Sequence, residues 1–205
     1  MELSKALGQI SEIHGRIAEN QTFRGYRSVT VAFSAGLAAI AALAQSQWIA
    51  EPIEQIDQFL ALWISVAAVS VGVSGGEICW RMRKDDSRWY RQLAWSALSC
   101  LAPSILAGVV ITIVIVSHAR ESAWLLPGLW GIVFSLGVFS SVRVLPRLTQ
   151  VVGCYYFAAG TVCLFVFNGD LSLSPAAMLL TFGVGQALSA AVLYVSLERK
   201  HGQSS

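Results

Sequence analysis

Long apolar stretches dominate this sequence and limit what the chain can fold into. A helix that crosses a bilayer needs about 20 consecutive, mostly apolar residues. Strands are shorter than these runs and would alternate apolar with polar side chains. The sequence therefore predicts an all-α, polytopic bundle of six transmembrane helices. The predicted spans are Val29–Ala44 with an extension to Trp48, Gln58–Gly76, Leu93–Val116, Trp124–Ser141, Thr149–Phe167 and Ser174–Leu197.

The low content of charged residues excludes a soluble domain. Only 13% of the 205 residues are charged, against about 25% in a typical soluble domain. The segments outside the predicted spans are too short for an aqueous catalytic, nucleotide-binding or DNA-binding domain, and we expect no direct contact with nucleic acid. We divide the chain into an amphipathic and interface segment (1–27), a transmembrane domain (28–197) and a tail (198–205).

Basic residues are concentrated on one predicted side of the membrane, and Arg120 alone falls on the other side. The positive-inside rule then predicts a multi-pass protein of the bacterial inner membrane with both termini in the cytoplasm. The basic face should attract anionic lipid headgroups, and a dedicated acidic or phosphorylated partner is the alternative. The residues on the basic side are Lys5, Arg16, Arg24, Arg27, Arg81, Arg83, Lys84, Arg88, Arg91, Arg143, Arg147, Arg199 and Lys200.

The N-terminal segment has the pattern of an amphipathic helix over Glu2–Asn20. Leu3, Leu7, Ile10 and Ile17 recur at helical spacing. The polar face is close to neutral, which favours docking under the bundle or against a partner helix over binding to the membrane surface. His14 lies between Ile10 and Ile17, as an interface histidine or as a ligand-binding or pH-sensing residue. Since the first apolar run begins near residue 29, behind charged residues, we expect no cleaved signal peptide.

Several short stretches carry a resemblance to a known family. They are Glu12–Ile17, Phe23–Tyr26, Leu126–Trp130, Ser141–Pro146, Thr181–Gly183 and Arg199–Gly202. The chain resembles a family of small, uncharacterised bacterial six-helix membrane proteins. The resemblance implies a gene encoded beside a small winged-helix regulator. It carries over no catalytic residue, because no activity is established for that family.

Ionisable residues are almost absent from the predicted spans. Asp57 and Glu77 lie at the two ends of the second span, and Arg143 lies at the inner end of the fourth. Buried charges in a bilayer are costly and usually functional. Their absence near the midplane argues against proton- or ion-coupled transport.

A few polar positions remain as candidates for function. Glu77 and Arg81 have the i, i+4 spacing of a helix ion pair, and the alternative is a site carboxylate at Glu77. Gln186 is a strongly polar side chain near the middle of a span, and it can hydrogen-bond a neighbouring helix or contact a ligand. Pro103, inside the third span, is expected to kink it and to favour a cavity.

Sequence patterns for metal, cofactor or catalytic sites are not found. None of the four cysteines is predicted to lie on the outer side of the membrane, which disfavours structural disulfides, and they form no CxxC pair. The three histidines all lie outside the predicted spans, which disfavours a haem held within the bundle. Metalloprotease, phosphate-loop and nucleophile-elbow motifs are missing as well. We expect no cofactor, no metal and no enzymatic activity.

Two functional hypotheses follow. The first is a non-enzymatic membrane protein whose cytoplasmic face binds a partner, either a second copy of the chain or a cytosolic regulatory protein. It depends on the N-terminal helix and on the basic second loop. The second is a small permease or lipid-pathway protein with a cavity near Pro103 and Gln186. A cavity lined by polar side chains and open to water would distinguish the two.

Overall fold

The computed structural model describes residues 28–84, 88–167 and 169–198, and the regular secondary structure in these ranges is helical throughout. Five helices are followed by a sixth stretch in which α and π turns alternate. The bounds are α1 (Ser28–Trp48), α2 (Ile56–Lys84), α3 (Arg88–His118), α4 (Leu126–Ser141), α5 (Thr149–Phe165) and α6, which is made of Pro175–Met178, Leu179–Val184, Gly185–Leu193 and Tyr194–Glu198. The predicted N-terminal helix, with His14, and most of the tail lie outside the described residues.

Five of these helical stretches are long and apolar enough to cross a membrane. They are Ser28–Trp48, Ile56–Lys84, Ala94–His118, Arg120–Ser141 and Pro175–Ser196. The first residues of the fourth stretch form a 3₁₀ turn, Arg120–Leu125, ahead of α4. Helix α5 is apolar but has only 17 residues, or about 25 Å at 1.5 Å per residue. The prediction of an all-α chain whose apolar helices fit a multi-pass membrane protein is confirmed.

Helices α2 and α3 are longer than expected from the sequence. We predicted a loop from residue 77 to residue 92, but α2 continues to Lys84 and α3 begins at Arg88. The assignment of five basic residues to this loop is therefore wrong, because all of them lie in helices: Arg81, Arg83, Lys84, Arg88 and Arg91. With 29 and 31 residues, the two helices measure about 43 and 46 Å. They exceed the ~30 Å of a bilayer's hydrocarbon core.

Packing explains the extra turns of α2. Ile78 of α2 is buried against Ala94 and Ala97 of α3. Met82, one turn further along α2, and Leu145 from the loop after α4 pack against this cluster. The apolar contact continues beyond the point where the run of apolar residues in the sequence ends. Helical structure is therefore retained there by tertiary packing, which provides most of a helix's stability in proteins.

The described basic side chains lie mostly at one end of the bundle, which we call the basic end. They are Arg81, Arg83, Lys84, Arg91, Arg143 and Arg147. At the opposite end, Arg120 is the only lysine or arginine among the described residues. Its Nη2 donates to Oδ2 of Asp57 at 2.6 Å, and both side chains are exposed. An exposed pair of this kind contributes little to stability.

The helices form a ring that is tight on one side and loose on the other. Helix α4 packs against α3 and α5, α5 packs against α6, and α1 packs against α6 and α2. Helices α2 and α3 are consecutive, yet their backbones approach closely at only a few positions. Their basic ends meet at the Ile78 cluster. Near the opposite end, Ile115 and Val116 of α3 pack against the core cluster that contains Phe59 and Ala123.

Glycines allow the tight contact between α4 and α5. A Cβ on Gly160 would lie 2.7 Å from the carbonyl oxygen of Gly128 and 2.9 Å from the amide nitrogen of Ile132. Small residues permit this close backbone approach between apolar helices. The GxxxG spacing of Gly72 and Gly76, and the similar spacing of Ala32 and Gly36, predict the same kind of contact, but these glycines do not face a neighbouring helix. At Gly36, Gly72 and Gly76, a Cβ would have no neighbouring atom within 4 Å.

Substitution of Gly160 tests the tight side of the ring. In Gly160→Ala, the new Cβ meets backbone atoms that cannot rotate away, so α4 and α5 must separate. Overpacking of this kind costs about 1–3 kcal/mol. We expect thermal unfolding of the purified protein in detergent to occur at a clearly lower temperature. Gly36→Ala is the matched control, since its Cβ would meet open space. Equal unfolding temperatures for the two variants would contradict this account of the packing.

Candidate functional site

A cavity of about 370 Å³ lies between α2 and α3, where the ring is loose. Its mouth is formed by side chains at the outer surface of the bundle, among them Ile64 and Val71 of α2 and Val109 and Ile113 of α3. These four are 49%, 54%, 50% and 59% exposed. The cavity thus opens sideways, between two helices, through what we call the side opening. Its volume is in the range of small-molecule sites.

The inner wall of the cavity is made mostly of large apolar side chains. Trp63, Trp130, Phe134, Met178 and Phe182 line it. They come from α2, α4 and α6, so the inner wall depends on the packing of three helices that are far apart in the sequence.

Two of these side chains are oriented by hydrogen bonds. The indole N–H of Trp63 donates to Oε1 of Gln45 at 2.8 Å, and Nε2 of Gln45 donates to the carbonyl oxygen of Leu173 at 2.6 Å. The indole N–H of Trp130 donates to Oγ1 of Thr112 at 2.9 Å. Both tryptophans are thereby held in one orientation against the cavity.

Sequence reasoning missed Gln45. We singled out Gln186 as the strongly polar residue within a span, whereas Gln45 is fully buried near the end of α1. The available signal was a pair of amides, Gln45 and Gln47, at the end of the apolar run of α1. Their position hid that signal, because polar residues at span ends are ordinarily solvated.

Three polar groups in the cavity have no partner within the described part of the chain. The amide of Gln186 and the hydroxyls of Ser70 and Ser104 line the cavity and form no hydrogen bond with any described residue. Unpaired polar groups in a mostly apolar pocket are the usual means by which a binding site orients its ligand. The prediction that Gln186 lies beside a cavity therefore agrees with the structure, and its neighbours there are mainly apolar.

A π-helical segment precedes Gln186 in the wall of the cavity. Met178, Phe182 and Gln186, each four residues apart, line the same wall, since residues at this spacing share one face of a helix. Leu179–Val184, within this stretch, forms wide π turns. The hydroxyl of Tyr155 donates to the carbonyl oxygen of Leu180 at 2.5 Å, inside this segment. Such departures from α geometry occur frequently at functional sites.

Glycine makes room for α6 behind the cavity. A Cβ on Gly185 would lie 2.5 Å from Cζ of Tyr156, so the ring of this fully buried tyrosine packs directly on the helix backbone. This contact sets the distance between α5 and the part of α6 that carries Gln186.

The predicted pair of Glu77 and Arg81 is present and lies at the basic end, away from the cavity. Nε and Nη2 of Arg81 donate to Oε1 of Glu77 at 3.1 and 3.0 Å. Oγ1 of Thr30 donates to the other carboxylate oxygen at 2.5 Å. Glu77 thus joins α2 to α1, and the pairing interpretation is confirmed.

Two other predicted positions, Arg143 and Pro103, are not part of the cavity lining. Arg143 is exposed in the loop after α4 and forms no ion pair within the described part of the chain. Pro103 is exposed on α3, immediately before Ser104 of the cavity. One turn before the proline, the hydroxyl of Ser99 donates to the carbonyl oxygen of Ser96 within the same helix.

Comparison of the chain with protein-family models, curated proteins and solved structures finds no match. The resemblance to a bacterial six-helix family therefore stays a prediction. No group of three or more potential metal ligands occurs within residues 28–84, 88–167 and 169–198. The cavity is accordingly interpreted from its own shape and chemistry.

Removal of Gln45 tests the support of the inner wall. Gln45→Leu leaves the indole N–H of Trp63 and the carbonyl of Leu173 buried without partners, and each loss costs about 1–3 kcal/mol. We expect a lower unfolding temperature in detergent. Gln58→Leu is the matched control, because Gln58 is exposed on α2 and has no side-chain hydrogen bond to a described residue. If the Gln45→Leu protein is as stable as the Gln58→Leu protein, the hydrogen bonds of Gln45 do not stabilise the fold.

Proposed function

We propose that this protein is a non-enzymatic, six-span membrane protein that binds an apolar or amphipathic molecule drawn from the bilayer. The observation that carries the proposal is the cavity of about 370 Å³ with a mouth between α2 and α3. A molecule already dissolved in the lipid can enter through the side opening without passing through water. This corresponds to the lipid-pathway hypothesis from the sequence.

The lining supports an apolar ligand over an aqueous solute. A permease for polar solutes needs a wetted path with polar groups along its length. Here the walls are mainly valine, isoleucine, phenylalanine and tryptophan, with a few uncharged polar side chains. A ligand that enters exchanges contact with lipid hydrocarbon for contact with apolar side chains, so its apolar surface stays in an apolar environment. The unpaired polar groups add hydrogen bonds that lipid chains cannot form.

The proposal includes an orientation. The basic end faces the cytoplasm, as the positive-inside rule indicates. Trp63 lies seven residues after the first residue of α2, and Met178 lies three residues after that of α6. Both starts are at the opposite end, so the cavity occupies the half of the bundle nearer the outer leaflet and reaches towards the midplane.

The basic end remains the proposed contact surface for a partner. The ends of α2 and α3 that carry Arg83, Lys84 and Arg91 are exposed and extend the helices beyond the thickness of the hydrocarbon core. This supports contact with anionic lipid headgroups. Binding of a second copy or of a cytosolic regulator depends on residues 1–27, outside the described residues, and stays a prediction.

Filling the cavity tests the proposed function. Ala67 lines the cavity, and its neighbour Ala68 is exposed on α2 and does not. We expect the purified protein to retain a lipid-soluble molecule, detected by native mass spectrometry after release from detergent. Ala67→Phe should lose that molecule, because the ring occupies its space, and Ala68→Phe should keep it. Equal retention by the two variants, or none by the unmodified protein, would refute the proposal.

A further inference from the structure

The cavity has no charge to offer a ligand. None of its lining side chains is ionisable, and its free polar groups are an amide and two hydroxyls. An ionised phosphate or carboxylate buried there would lack a counter-charge, which is strongly unfavourable. A ligand that satisfies this site must therefore have a neutral polar head.

The three unpaired groups lie deep in the bundle. Ser70 is 14 residues from the first residue of α2, Ser104 is 14 residues from the last residue of α3, and Gln186 is 11 residues from the first residue of α6. Each of these helix ends is at the side opposite to the basic end. At 1.5 Å per residue, all three groups are about 16–21 Å from that end. This is near the midplane of a bilayer about 30 Å thick, where charged headgroups do not reside.

The same groups favour a ligand rich in acceptors. The two hydroxyls and the amide N–H groups of Gln186 can all donate hydrogen bonds. A ligand with carbonyl oxygens on more than one side can accept from several of them, whereas an alcohol has a single oxygen to share.

Aromatic side chains favour a flat ring beside these donors. Trp63, Trp130, Phe134 and Phe182 all line the cavity, and both indoles are held by hydrogen bonds. Aromatic rings pack well against a planar partner in offset or edge-on arrangements. A flexible acyl chain would gain less from such a rigid wall.

We propose that the cavity binds the head of an isoprenoid quinone, with the apolar tail leaving through the side opening. A quinone head is neutral and planar, has carbonyl acceptors, and dissolves near the midplane of the bilayer. Gln186 and Ser70 donate to its carbonyl oxygens. This inference rests on the proposed function and names the ligand class of the same cavity.

Binding of decylubiquinone tests the inference. The full chain is placed in phosphatidylcholine nanodiscs and titrated with the quinone, and binding is followed by the quenching of tryptophan fluorescence. Empty nanodiscs are titrated in the same way to measure how much quinone partitions into the lipid. We expect saturable binding to the unmodified protein. Gln186→Leu should weaken it about tenfold and Ser70→Ala several-fold, as expected for lost hydrogen bonds. Ser65→Ala is the matched control, because Ser65 is exposed on α2 and bonds its own helix.

The two proposals fail in different ways. Decylubiquinone binding that is lost in Ala67→Phe, weakened in Gln186→Leu and unchanged in Ser65→Ala supports the quinone site. If decanol competes with the molecule retained in the cavity and decylubiquinone does not, the quinone class is overturned and the proposed function stands. Quinone binding equal in Gln186→Leu and in the unmodified protein also overturns the quinone site. Unfolding temperatures of the ligand-free variants show whether a loss of binding reflects a loss of fold.

Discussion

The close backbone contact between α4 and α5 is the constraint on which the rest of the bundle depends. Gly128 and Gly160 bring these helices together at a distance that a single methyl group would prevent. Helix α3 packs on the same side of the ring, where a Cβ on Gly137 of α4 would lie 2.8 Å from the hydroxyl oxygen of Ser104. On the other side, α2 packs against α1. Because α2 and α3 are held by different neighbours, they separate between their ends, and the cavity lies in that gap.

The separation would be unfavourable for a soluble protein, since it leaves apolar walls exposed. In a bilayer the same walls meet hydrocarbon, so a gap between helices costs little. What distinguishes this gap is its inner wall, where Gln45 and Thr112 orient two tryptophans and a π-helical segment precedes Gln186. Lipid contact alone does not require a buried amide to hold an indole, or a change from α to π hydrogen bonding in α6. These features favour a binding site over a simple packing defect.

Much of the fold could be predicted from the sequence, because the lengths of apolar runs determine how many helices form and roughly where. The Glu77–Arg81 pair was predictable as well, since it depends on spacing within one helix. The extra turns of α2 were not, because Ile78 and Met82 are packed there by a tertiary contact with α3. The glycine pattern misled at Gly72 and Gly76, since spacing does not indicate whether a helix faces a neighbour. Gln186 was recognised from its polarity, but the cavity beside it is formed by side chains of other helices, which the sequence around Gln186 does not reveal.

The central claim is that the gap between α2 and α3 is open to lipid. The most direct measurement uses a spin label on Ala67→Cys in a chain whose four native cysteines are replaced by serine, reconstituted in a phosphatidylcholine bilayer. Collision rates with oxygen, which concentrates in lipid, and with a water-soluble nickel complex report the surroundings of the label. The account predicts frequent collisions with oxygen and few with nickel. A label shielded from both reagents would mean that α2 and α3 are packed together, and frequent collisions with nickel would mean an aqueous path; either result would contradict the account.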